Sequence, residues 1–189
     1  MVDIEWLLLL AQLPSTPSSP RVTLWRRMKA AGSISLQSGA WILPDIPKSR
    51  QFPEDTLAYI SSIGGKAFLF ESKKLDQAAE ASMIGIFRDN IDQEYREFIS
   101  RCDDLLEEIE KESKQDKYTF AELDENEEEL QKLTSWLRKI KSRDYFTGSQ
   151  AENADRSIEH CRDVLHKFEK EVYRCEGLDV SDITAEGSD

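Results

Sequence analysis

At 189 residues, with 39% hydrophobic and 33% charged residues, the chain is long and apolar enough to bury a core, which excludes disorder throughout. Lys and Arg number 25 against 37 Asp and Glu, and the net charge of −12 is unevenly spread: residues 1–75 sum to +3 and residues 76–189 to −15. The second part repels a polyanion, so any nucleic-acid contact has to come from the first.

The chain opens on Trp6-Leu7-Leu8-Leu9-Leu10-Ala11-Gln12-Leu13. Asp3 and Glu5 precede this run where a targeting signal would carry lysines, and it falls well short of the roughly 20 apolar residues that cross a bilayer. It reads as a central strand covered on both faces and ended by Pro14. Ser15 to Pro20 is a loop, with Ser19 placed as N-cap and Pro20 at the first helical position. The helix that follows to about Ala31 should bury Val22, Trp25 and Met28, and Gly32 stops it. Ser33–Gln37 and Ala40–Leu43 alternate around Ser38-Gly39, a hairpin signal closed by Pro44. A second helix, about Pro53 to Ile63, ends at Gly64-Gly65, and Ala67-Phe68-Leu69-Phe70 is a short strand. Strand, helix, hairpin, helix, strand is the βαββαβ order of the ferredoxin-like fold, predicted over residues 1–75.

From Asp76 the hydrophobic period changes to three and four. Ile84, Phe87, Ile91, Tyr95, Phe98, Cys102, Leu105 and Ile109 form one stripe of a long helix, which demands partner helices. Thr119-Phe120-Ala121-Glu122 is a capping box opening a helix with Leu123, Leu130, Leu133, Leu137 and Ile140. After a connection around Gly148, a last helix from about Glu152 to Arg174 carries Ile158, Cys161, Leu165, Phe168 and Val172. The expected architecture is α+β: a ferredoxin-like head, a three-helix antiparallel bundle or coiled coil over residues 76–177, and a flexible acidic tail over 178–189.

The acidic run Asp124 to Glu129 radiates around its helix and lacks the glycine of a calcium loop, so it reads as a solvated helix start favoured by the dipole. Cys161 lies on the apolar seam and His160 about 100° around from it, so the two do not share an inward metal. Three cysteines give no disulfide framework and no zinc pairing, and a reducing cytoplasm is the expected setting. Cys175, beside Arg174, is the one thiol suited to a redox role. No nucleophile elbow, phosphate-binding glycine loop or dinucleotide fingerprint appears. No catalytic residue, metal or cofactor is therefore expected, and an enzyme is the weaker class. The feature suited to phosphate is the cluster Arg21, Arg26, Arg27 and Lys29 on the first helix, with Lys48 and Arg50 in the later loop. Its plainer reading is the wet face of a surface helix.

Several ordered stretches resemble the N-terminal domain of the ChrB family: Trp6 to Leu10 with Leu13-Pro14, Leu24-Trp25-Arg26-Arg27-Met28-Lys29-Ala30-Ala31-Gly32, and Ala40-Trp41-Ile42-Leu43-Pro44. Glu94 to Phe98, Thr119 to Leu123 leading into Glu127 to Leu130, Trp136-Leu137 and Arg143 to Phe146 extend the resemblance over nearly the whole chain. The resemblance implies a chromate-responsive regulator that binds operator DNA, with Arg21, Arg26, Arg27 and Lys29 as the phosphate contacts expected here. Relatives carry a further C-terminal domain, so a separate ChrB C-terminal-type protein is an expected partner, along with a possible homodimer and no membrane. The start also resembles PaaX-type repressors and small CRISPR-adaptation nucleases. The nucleases use an aspartate at the end of the first strand, where this chain has Gln12-Leu13. Two other readings stay open: an interaction module built on the helical part, and an oxyanion or redox factor using Arg138, Arg143 and Cys175.

Overall fold

The computed structural model describes residues 4–47, 49, 51–72 and 76–178. The expectations for Lys48, Arg50 and nearly all of the acidic tail lie outside the described residues. The element order is β1 (Trp6–Gln12), α1 (Ser19–Ala30), β2 (Ile34–Gln37), β3 (Ala40–Pro44), α2 (Gln51–Ser62), β4 (Lys66–Ser72), α3 (Gln77–Lys114), α4 (Phe120–Arg143) and α5 (Ala151–Cys175). The chain divides into two compact units, one of residues 1–89 with 143–146 and one of residues 90–142 with 147–189.

In the first unit the four strands form an antiparallel sheet ordered β2-β3-β1-β4. This is the split βαβ arrangement of the ferredoxin-like fold, with the leucine-rich strand at the centre. Leu7 and Leu9 face one side and are buried with Leu24 and Met28 of α1, Leu43 of β3 and Ile60 of α2. Trp6 faces the other side and is fully buried with Ile34, Ile42 and Phe87, against which Met83, Ile84, Tyr145 and Phe146 pack. That second face is covered only in part. Leu8 and Leu10 are half-buried, and their partners on β4, Phe70 and Phe68, are 49% and 61% exposed. The expectation of a strand covered on both sides thus holds at Trp6 and fails at Leu10, because the covering side chains gather over the Trp6 end.

Helix α1 ends as its sequence requires. Gly32 takes φ +69°, and the amides of Ser33 and Gly32 donate to Met28 O at 3.0 Å and Lys29 O at 2.9 Å. A side chain at Gly32 would meet Arg143 Cβ at 2.6 Å, because residues 143–146 return to this unit. There Tyr145 Oη donates to Ala31 O at 2.5 Å, and the Phe146 ring lies 6.0 Å from Trp6. The start of α1 differs from expectation: the cap is Ser18, whose side chain makes no capping hydrogen bond.

In the second unit the remainder of α3 packs with α4 and α5. Ile91, Tyr95, Phe98, Cys102, Leu105 and Ile109 form one core with Leu133, Leu137, Ile140, Ile158, Leu165 and Val172. Phe98 meets Trp136 at 5.6 Å and Tyr118 meets Phe168 at 5.3 Å, so α4 runs against α3 and α5 runs along it. Ile84 and Phe87, placed on the same stripe by spacing, pack instead in the first unit around Trp6. Asp76 opens α3 by accepting from Ala78 N and Ala79 N, and Thr119 Oγ1 accepts from Glu122 N at 3.3 Å. The start of α5 is served by a carboxylate from another helix. Asp92 accepts from Ser149 Oγ at 2.7 Å and Gln150 N at 3.2 Å.

Candidate nucleic-acid interface

Helix α1 contains four cations and no acidic residue, within a chain of net charge −12. Leu24 and Met28 are each 1% exposed and bury one side of the helix on the sheet. The expected buried side was Val22, Trp25 and Met28; Val22 is 46% and Trp25 53% exposed. The sequence offers two apolar stripes, and the sheet takes the one spaced 24, 28, 31. The other stripe is left in solvent.

Arg21, Arg26, Arg27 and Lys29 are all exposed. Arg21, Trp25 and Lys29 fall at i, i+4 and i+8, which sets an indole between two cations on one line of the helix. Arg21 donates through Nη2 to Ser15 O, tying the helix to the preceding loop. Arg27 lies over the Tyr59 ring of α2 at 4.5 Å, a cation–π contact that holds its guanidinium against the protein. Among the described residues, the side chains of Arg26 and Lys29 make no ion pair or hydrogen bond. The four expected contacts therefore share one helix, with two unengaged.

Beside Trp25 the ends of β1 and of the β2–β3 hairpin leave a cavity of about 460 Å³. Arg21, Trp25, Trp41, Gln12, Ser35 and Ser38 supply its polar and aromatic lining, and among the described residues no carboxylate lines it. Sequence reasoning passed over Trp41 and Gln12 here. The available signal was the spacing of Arg21, Trp25 and Lys29.

The thiols and the other arginines are dispersed. Cys102 and Cys161 are buried, and the Cys161 Sγ lies 3.5 Å from Cys102 O. The hydrogen bond with Cys161, followed by burial, pushes the Cys102 thiol far up. Cys175 is exposed. Phe120 meets Tyr173 at 5.5 Å, which puts Cys175 near the start of α4, whereas Arg138 lies about 27 Å further along that helix at 1.5 Å per residue. Arg143 belongs to the other unit. Arg138 and Cys175 are thus not brought into one site. Among the described residues, no group of three or more His, Cys, Asp or Glu side chains is placed to hold a metal ion, and no helix is long and apolar enough to cross a membrane.

These features define an α+β protein whose ferredoxin-like unit carries an acid-free cationic helix and whose second unit is three-helical. A family model described as "Protein ChrB, N-terminal" matches residues 21–178, and the chain belongs to that family. Protein ChrB of Cupriavidus metallidurans CH34 is 36% identical over 86 residues, 45% of this chain. The matched part is 26% of that relative, so the match spans about a quarter of its length.

Proposed function

We propose that this protein acts in chromate resistance as a DNA-associated regulatory or accessory protein working in the cytoplasm. It is not an enzyme in this reading. The observation that carries the proposal is α1: a helix free of acidic residues, with Arg26 and Lys29 unengaged among the described residues, in an otherwise anionic chain. Arg21, Arg26 and Lys29 contact phosphates, and Arg27, stacked on Tyr59, orients that surface. The three-helix unit pairs chains or docks a separate ChrB C-terminal-type protein. Family membership supports the reading and leaves the DNA contact to be measured.

An electrophoretic shift with the DNA upstream of the gene, titrated with salt, tests it. Retention should weaken with salt, and the Arg26→Glu, Lys29→Glu double variant should lower the slope of log affinity against log salt by about two, near one per phosphate contact. Equal retention of wild type and double variant removes the DNA role. A second reading, protein docking without DNA, is favoured by Phe68 and Phe70, which stand 61% and 49% exposed on one sheet face. Recovery of a stoichiometric protein partner with no DNA retention would select it.

A further inference from the structure

The cavity beside α1 has a composition that the phosphate-contact reading does not use. Its walls hold two indoles, a guanidinium, a side-chain amide and two hydroxyls. Neither indole makes a ring contact or side-chain hydrogen bond among the described residues: Trp25 is exposed, Trp41 is partly buried with one side packed on the core, and Gln12 and Ser38 make no side-chain hydrogen bond there. Of the Arg21 guanidinium, Nη2 is committed, to Ser15 O. The cavity therefore presents unstacked aromatic faces, a cation and uncommitted neutral donors and acceptors.

Each component restricts the ligand. A bare anion would satisfy Arg21 and leave the exposed Trp25 indole without a partner. An uncharged aromatic would cover the indoles and leave the guanidinium unmatched. A planar heteroaromatic ring joined to an anionic group meets both. Its ring lies on Trp25 or Trp41, its edge meets Gln12 and Ser38, and its anion meets Arg21. The volume of about 460 Å³ lies within the range of small-ligand sites. We infer that this cavity binds a base-plus-phosphate unit, with Trp25 and Trp41 as the stacking surface and Arg21 as the phosphate contact.

A base inside a duplex is stacked on both faces and cannot enter. The unit comes from a single-stranded or unstacked position of nucleic acid, or from a free mononucleotide. The single-strand source rests on the DNA-associated reading, because Arg21 and Trp25 share α1 with Arg26 and Lys29. The mononucleotide source is independent of that reading.

The full chain is titrated with three probes: a short labelled single-stranded oligodeoxynucleotide by anisotropy, the blunt duplex of the same sequence by anisotropy, and deoxyadenosine monophosphate by calorimetry. Tryptophan emission is followed in each. Wild type should bind the single strand more tightly than the duplex, with quenching. Trp25→Ala should weaken single-strand binding about tenfold, and Trp25→Phe should restore most of it, as base stacking requires. Trp25 is exposed, so far-UV circular dichroism should be unchanged by either substitution. If neither single strand nor mononucleotide binds, or if Trp25→Ala binds as wild type does, the inference is overturned. Duplex retention that depends on Arg26 and Lys29, with single strand and mononucleotide both failing to bind or binding independently of Trp25, overturns this inference and keeps the DNA reading. Binding and quenching by the mononucleotide, with no retention of either strand form, keeps the cavity and removes the DNA reading.

Discussion

Asn126 of α4 is 4% exposed, and its Nδ2 donates to Glu112 Oε2 at 2.6 Å and to Glu122 O at 2.8 Å. From sequence it belonged to a run of solvated acids, because its neighbours Asp124, Glu125 and Glu127 to Glu129 hide a single inward position. Glu112 is equally buried, at 4% exposure, and burial raises its carboxyl above the ordinary range while the Asn126 amide pulls the other way. Asn126→Ala should therefore lose about 1–3 kcal/mol of stability in denaturant unfolding, the cost of leaving a buried acceptor unpaired. The same pair gives a pH dependence. A carboxyl whose folded pKa is raised binds its proton more readily in the folded state, so its contribution is fully present below the ordinary carboxylate value and is lost as pH rises from there through the raised value. Glu127 is raised too, by burial and then by Glu169 and Asp124. The thermal midpoint should fall as pH rises from about 4.5, the ordinary carboxylate value, towards neutrality, and Asn126→Ala should steepen that fall. A flat or reversed profile would contradict the assignment.

Among the elements, the best foretold were those whose signals are covalent or periodic. Pro14 and Gly32 end their segments, Ser38-Gly39 turns the hairpin with Gly39 at φ +81°, and the seam from Ile91 to Ile109 packs as its spacing requires. What spacing could not supply was phase and partner. Helix α1 has two apolar stripes, and only the sheet beneath it chooses Leu24 and Met28 over Val22 and Trp25. The cavity was illegible for the same reason: β1, β2, β3 and α1 each supply part of its wall, and Trp41, which packs on the core, shows an open side only once Trp25 is known to face outward. The cap of α5 is likewise tertiary, since its own N-cap residue, Gln150, makes no side-chain capping bond and Asp92 of α3 accepts instead. Asp92→Ala should destabilise the chain by about 1 kcal/mol, as loss of a cap does, whereas Glu152→Ala should change little. Chemical denaturation of the two variants side by side checks this.

For the molecule as a whole, charge asymmetry was plain from composition, while the route of the chain was not. The division between units falls within α3, after Asp89, and the sheet unit is completed by Arg143 to Phe146 from far along the sequence. No local pattern reveals that, because Tyr145 and Phe146 look like loop aromatics until their rings are found beside Phe87, at 6.1 and 5.4 Å. A fragment ending at Asp89 should show red-shifted tryptophan emission and bind a hydrophobic dye, because Trp6 loses Phe146 from its surroundings. Unchanged emission would mean that Phe87 and its neighbours before residue 90 shield the indole without Phe146. During synthesis the same return crossing has a temporal meaning. The leucine-rich strand leaves the ribosome before every helix, yet one edge of its shelter is translated only after all of residues 90–142. A nascent chain carries the Trp6 end of that surface incompletely covered until then, which makes the interval before Phe146 emerges a period of exposure to chaperones and to aggregation.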